Sequence, residues 1–295
     1  MKYRTDLAIE CVEIAEEEST DSKEIKGVDI EEIEYGKDVK STRIKIKDQE
    51  GARALGKPIG SYVTIEAQGL LEEREGVKEA AEHALATELQ ELIKFHYYLK
   101  VLVAGLGNFM VTPDALGPAV AGKIKVTRHL FLLFEADGDD QMSCVSCLTP
   151  GVSATTGMQT ADIVKKAVDI CSPELVIAVD SLAAKNIERV STTIQITDTG
   201  ISPGGGMGNN RQGICRETVG TDVIAIGVPT VIDATTIVRD SLSSAIESCE
   251  EIEEYVKEFD KQLIVTSTDI DTVIKDFSDI IANGINKTLH PGIYS

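Results

Sequence analysis

No apolar run in this chain approaches the roughly 18 residues that a membrane-spanning helix needs. The opening Met1-Lys-Tyr-Arg-Thr-Asp6 carries a little basic charge but no apolar core behind it, so it does not read as a secretory signal. Cations are scarce. Lys plus Arg is 29 against 49 for Asp plus Glu, a formal net charge of −20. Such a chain is not expected to bind phosphate backbones unaided, so neither nucleic acid nor a membrane is an expected partner. Its acidity suits solubility, and it can also attract basic protein substrates.

Familiar metal and phosphate motifs are missing as well. There is no H-E-x-x-H, and no G-x-x-x-x-G-K followed by Ser or Thr. The one C-x-x-C, Cys144-Val-Ser-Cys147, has no second pair with which to complete a zinc ribbon. The six cysteines are scattered, which suits reduced thiols in a cytoplasmic protein. Cys144 and Cys147 lie in the apolar run Ser143 to Leu148 and read as buried strand thiols. No cofactor and no metal are expected.

What is present is a chain of 295 residues, long enough for one large domain or two small ones at roughly 100–200 residues each. It is organised around Gly105-Leu-Gly-Asn-Phe-Met-Val-Thr-Pro-Asp-Ala-Leu-Gly-Pro118. The preceding Val101 to Ala104 reads as a buried strand, and the glycines allow a sharp turn at its end. Thr112-Pro113 reads as an N-cap with proline at the first helical position. Asp114 then falls in the first turn of a helix at the C-terminal edge of a parallel sheet, where open α/β sheets hold ligands. Taken alone, Asp114 reads as a partner of the helix dipole.

A second aspartate changes that balance. Leu175-Val-Ile-Ala-Val179 reads as a central parallel strand buried on both faces. Asp180 ends it, and Ser181 is expected to start a helix running to about Val190. Asp180 alone reads as an N-cap. If the two strands are neighbours, both carboxylates converge on one crevice.

Around these stretches, Ile30 to Tyr35 and Thr42 to Ile46 alternate as half-buried strands of an antiparallel ribbon, and Ser61 to Glu66 reads as another strand. Residues 13–26 read as a solvated loop or frayed helix. Residues 76–97 read as an amphipathic helix whose apolar stripe continues to a packed His96. Val126 to Phe134 allows strand or helix and carries His129, usually a structural residue but open to a ligand role. Glu135 to Asp140 reads as an exposed loop, and residues 159–171 as a helix. Thr192 to Ile196 and Val223 to Gly227 read as strands. The glycine-rich Gly200 to Arg211 reads as a loop lining a cleft, able to offer N–H groups to a substrate carbonyl. Asp233 reads as the N-cap of a helix, residues 250–262 are charged, and a last helix runs from Ile270 to about Leu289. The fold class is therefore α/β, with a central mostly parallel sheet flanked by helices and an N-terminal β-rich extension.

Several blocks also resemble the germination proteases of endospore-forming bacteria. They are Arg4-Thr-Asp-Leu-Ala8, Gly105-Leu-Gly-Asn with Val111-Thr-Pro-Asp-Ala-Leu-Gly-Pro118, Thr127-Arg-His-Leu130, Pro150-Gly-Val152, Ala178-Val-Asp-Ser-Leu-Ala-Ala184, Gln195-Ile-Thr-Asp198 and Ala225-Ile-Gly-Val-Pro-Thr230. They run in family order; the departure is a shorter segment near 245–262. The resemblance implies a fold similar to hydrogenase-maturation proteases. It implies an endopeptidase of small acid-soluble spore proteins, active in germination in the spore core, and a homotetramer. It implies a zymogen that removes residues 1–6 by cutting between Asp6 and Leu7, leaving one peptidase domain over 7–295. The family's catalytic aspartates fall on Asp114 and Asp180. Two other readings stand beside it: a metal-dependent peptidase with Asp114, Asp180 and His129 as ligands, and a noncatalytic nucleotide-binding module.

Overall fold

A computed structural model describes residues 5–18, 25–96, 98–133, 141–205, 211–243 and 263–294. In chain order the elements are α1 (Ala8–Glu18), β1 (Val28–Glu34), β2 (Val39–Ile46), α2 (Gln49–Leu55), β3 (Gly60–Ala67), α3 (Val77–Leu92) and β4 (Lys100–Gly105). A 3₁₀ turn (Thr112–Asp114) leads to α4 (Leu116–Ala121), α5 (Arg128–Leu133), β5 (Cys144–Leu148), α6 (Ser153–Thr156), α7 (Thr160–Cys171) and β6 (Leu175–Ala184). After a 3₁₀ turn at Ile187–Arg189 come β7 (Thr193–Thr197), α8 (Arg216–Val219), β8 (Asp222–Asp233), α9 (Ala234–Ser243), β9 (Ile264–Thr266), α10 (Ile270–Leu289) and α11 (Pro291–Tyr294).

All these strands join one sheet in the order β1-β2-β3-β7-β8-β6-β4-β5, with β9 paired to β8. Strands β8, β6, β4 and β5 run parallel, whereas β1, β2, β3 and β7 form an antiparallel half. The α/β class and the N-terminal β-rich extension thus agree with the sequence reading. Alternation in β2 has its physical cause in this layout: Ile44 and Ile46 are buried, while Lys45 faces solvent. The apolar run of β6 is buried on both faces. Ile177 and Val179 pack with α3, α4 and α10 on one side; Val176 and Ala178 join α7 on the other. The periodic apolar residues of α10, with Phe277 at their centre, are buried against the first of these layers.

Several expectations are corrected. Ser181 to Ala184 does not begin a helix. Strand β6 continues to Ala184 because its pairing with β8 continues to Ile232 across a register shift after Leu182. Only a 3₁₀ turn follows. Asp180 is accordingly a residue within a strand, not an N-cap. The helix proposed for 76–97 stops at Leu92, and His96 is not packed: it is exposed and bonds Glu174 at 3.1 Å. The charged 13–26 stretch contains the last turns of α1, whose first residues Ala8 to Val12 are buried. His129 sits exposed on α5, which resolves that segment as helical. Cys144 is buried and Cys147 half-buried. The readings of 135–140, of 206–210 within the glycine-rich loop, and of 250–262 lie outside the described residues.

Candidate active site

The organising loop is fixed by backbone contacts at both ends. Leu106 N–H donates to Val179 C=O at 2.7 Å, tying the loop to β6 where β4 stops. Gly107 has φ +106°, and a Cβ there would lie 2.1 Å from the Asp114 carbonyl oxygen. Glycine is therefore required both for the turn and for the return of the chain. Asn108 N–H donates to that same carbonyl at 2.9 Å. Val111, rather than Thr112, occupies the cap position of the 3₁₀ turn, and Pro113 stands in its first turn. The Thr230 hydroxyl on β8 donates to Pro113 C=O at 2.7 Å. Thr230→Val should lower stability by about 1 kcal/mol, the ordinary net worth of one hydrogen bond. The urea midpoint measures it.

Strands β4 and β6 are immediate parallel neighbours, with Gly105 opposite Val179. Asp114 and Asp180 thereby line one cavity of about 370 Å³, together with Asp6, Gly107, Thr160 and Arg211. Asp180 is 4 % exposed and Asp114 half-buried. Burial pushes the Asp180 carboxyl well above the usual range, and the nearby charge of Asp114 pushes it further. The Ser181 N–H, which donates to Oδ1 at 2.9 Å, and Arg211 oppose this. Burial also raises Asp114, against a backbone hydrogen bond from Asn108 and the charge of Arg211. Of the two carboxyls, Asp180 is the more deeply buried and the more strongly raised. Carboxyls of one cavity whose surroundings push their proton affinities apart are the equipment of general acid–base chemistry.

The third carboxylate comes from the far end of the sequence. Asp6 N–H donates to Ala183 C=O at 3.0 Å, and Ala183 N–H donates to Asp6 Oδ2 at 2.9 Å. This pairing uses the part of β6 that outruns β4. Leu7 and Ala8 follow into a buried cluster with Ile44, Ile46, Tyr62 and Leu182. Thr5 accepts from Leu7 N–H and donates to the buried Glu10 carboxylate, which also accepts from Lys185 and Asn186 N–H. A larger open cavity of about 770 Å³ adjoins the first and shares Asp6 and Leu182 with it; Lys57, Gln195 and Arg216 are among its other lining residues.

The structure thus brings Asp114, Asp180 and Asp6 together, while Leu7 is buried beside them and His129 does not line the cavity. Among the described residues, no group of three or more His, Cys, Asp or Glu side chains is arranged to hold a metal ion. None of their helices is long and apolar enough to cross a membrane. Arg211 was legible only as the end of a glycine-rich loop, and Lys57 carried no sequence signal.

Fold and cavity define the class: an α/β protein whose parallel sheet opens, beside one strand end, into a cleft with paired carboxylates. Comparison with known proteins gives the family. The germination protease family model matches residues 8–248, and the chain belongs to that family, a family of peptidases. It is 44% identical to the germination protease of Caldanaerobacter subterraneus subsp. tengcongensis, covering 98% of this chain and 95% of that one. It is 42% identical to a germination protease of Clostridium perfringens (98% and 96% covered) and 35% identical to that of Bacillus licheniformis (98% and 94%). Among solved structures, a NiFe hydrogenase maturation protease, HycI from Thermococcus kodakarensis KOD1, aligns with 67% of this chain and 98% of its own. The TM-score is 0.37 at 17% identity.

Proposed function

We propose that this chain is an endopeptidase that degrades small acid-soluble spore proteins during germination in the spore core. It is made as a self-processing zymogen, and it uses Asp114 and Asp180 to activate water. Residues 1–6 are the propeptide, residues 7–295 are the peptidase domain, and the working form is a homotetramer. Family membership supports this reading of substrate, compartment and assembly. One observation carries the chemistry: Asp6, the residue before the cut, lines the same cavity as both aspartates.

Roles follow from burial and charge. Asp180, the more deeply buried, holds a proton and donates it to the leaving amine. Asp114 is half-buried and beside Arg211, and it takes the proton of the attacking water. Titration belongs to the pair rather than to either residue. In the uncut chain Asp6 occupies the cleft, so the same contacts that present the bond also exclude other substrates.

Intact-mass analysis of the purified protein tests this. Wild type should lose Met1 to Asp6 and begin at Leu7. Asp114→Asn should keep its full N-terminus, because it lacks the base. Equal trimming of both would show that another protease removes the segment.

A further inference from the structure

Gln195 reaches across the bond between Asp6 and Leu7. From β7 its Nε2 donates to the Asp6 carbonyl at 2.9 Å, and its Oε1 accepts from Ala8 N–H at 2.6 Å. A second donor comes from the turn between α2 and β3: Lys57 Nζ donates to the same Asp6 carbonyl at 2.8 Å. Gln195 is 6 % exposed and Lys57 half-buried. Both lone pairs of this one carbonyl are therefore met by side chains, one of them a cation, at the boundary of the two cavities.

The sheet register relates these donors to the aspartates. Gln195 pairs with Gly227 on β8, and Gly227 pairs with Asp180 on β6. Residues paired in this way point to one face of a sheet. At about 4.8 Å between strands, Gln195 and Asp180 are about 10 Å apart along one row. The residue between them has no side chain; a Cβ on Gly227 would lie 2.5 Å from Leu182, the apolar floor that both cavities share. Asp6 thus lines the cavity that holds both aspartates while its carbonyl is met by two side-chain donors.

We infer that Lys57 and Gln195 form an oxyanion-binding pair for this bond; the inference rests on the self-processing reading above. When water attacks the Asp6 carbonyl carbon, one water proton passes to the ionised aspartate and the carbonyl oxygen gains negative charge. Lys57 Nζ and Gln195 Nε2 hold that charge. Collapse breaks the C–N bond, and the protonated aspartate gives its proton to the Leu7 nitrogen. The products are a new α-carboxyl at Asp6 and a new amino terminus at Leu7; the carboxyl passes its proton to that amine, and the proton taken from water re-forms the acid of the pair. Donors already directed at the oxygen need no rearrangement as charge develops, which is the source of their catalytic effect.

A purely docking role is the competing account, and Gln195→Glu separates the two. The carboxylate still accepts from Ala8 N–H but no longer donates to the Asp6 carbonyl. The self-cleavage rate, read by intact mass, should fall about 10²–10³-fold. Protection of the Ala8 amide against hydrogen exchange, measured with Asp114→Asn added to keep the chain uncut, should persist. Lys57→Met, at a half-buried position, should show the same pattern. Cleavage of Gln195→Glu and Lys57→Met within about threefold of wild type would overturn the proposal, taking the loss of a single donor as the yardstick. So would a slow rate accompanied by lost Ala8 protection, which would make the pair a docking clamp. If wild type itself stays uncut at Asp6–Leu7, the self-processing reading fails first, and this one with it.

Discussion

Asp180→Asn should abolish turnover and leave a more stable protein. Asparagine keeps the shape of the side chain and can still accept from the Ser181 N–H, so the fold is retained. It cannot give up a proton, and losing a general acid costs about 10²–10⁴-fold. Stability should move the other way. Burial and the Asp114 charge hold the Asp180 carboxyl above its ordinary range. Below the value of an unfolded aspartate, about 3.9, both states are protonated and no penalty exists. As pH rises past that point the unfolded chain releases its proton first, so stability falls until the folded group itself titrates. Asparagine escapes this loss. The melting temperature of Asp180→Asn should therefore exceed that of wild type at pH 7, and the gain should vanish in acid. Thermal scans across pH, beside turnover on small acid-soluble spore protein with and without chelator, check both halves. Near-normal turnover in a folded Asp180→Asn variant would remove Asp180 from the mechanism.

Arg189→Met should cost about 3–5 kcal/mol, the loss expected when one partner of a buried ion network is removed. Arg189 is 8 % exposed. It bonds both oxygens of Glu13 at 2.7 and 2.5 Å and Glu66 at 3.2 Å, and lies 3.8 Å from Glu10. Three carboxylates from α1 and β3 thus converge on one guanidinium. Methionine fills much of the space but leaves Glu10 buried without its cation and Glu66 with Lys40 alone, at 3.1 Å. Helix α1, which sits on the sheet through this cluster, should loosen first. A lowered urea midpoint, with amide exchange accelerating in α1 before the central strands, is the expected pattern. Adding Glu10→Gln should recover part of the loss. An unchanged midpoint would mean that the network contributes nothing net.

Much of the site was legible because strands β4 and β6 announce themselves as unbroken apolar runs, each leading to an aspartate. Their adjacency was a conditional step, and the parallel pairing supplies it. What escaped reading depended on distant chain. Leu182-Ala-Ala184 has helical propensity, yet β8 holds it extended, and Asp6 pairs with its open side. Propensity is local, and the override came from residues far away in sequence. Lys57 and Gln195 acquire meaning only once the N-terminal segment lies between them. Strand β9 has three residues, too few for any periodicity to register. His96 extended a helical stripe on paper, but α3 had already ended.

The seat of Asp6 also sets an order of events in time. The contact with Ala183 spans 177 residues, and that with Gln195 spans 189. Synthesis delivers the N-terminus first, yet these two partners emerge only after more than half the chain is made. Contacts of such separation bear a loop-closure cost that other contacts must offset, so they form late. A chain that stalls before β6 has only Lys57 with which to hold Asp6, and one that misfolds there cannot clamp the bond. If the chain processes itself as proposed, removal of six residues acts as a maturation checkpoint: only a molecule whose central sheet is finished can sign its own release.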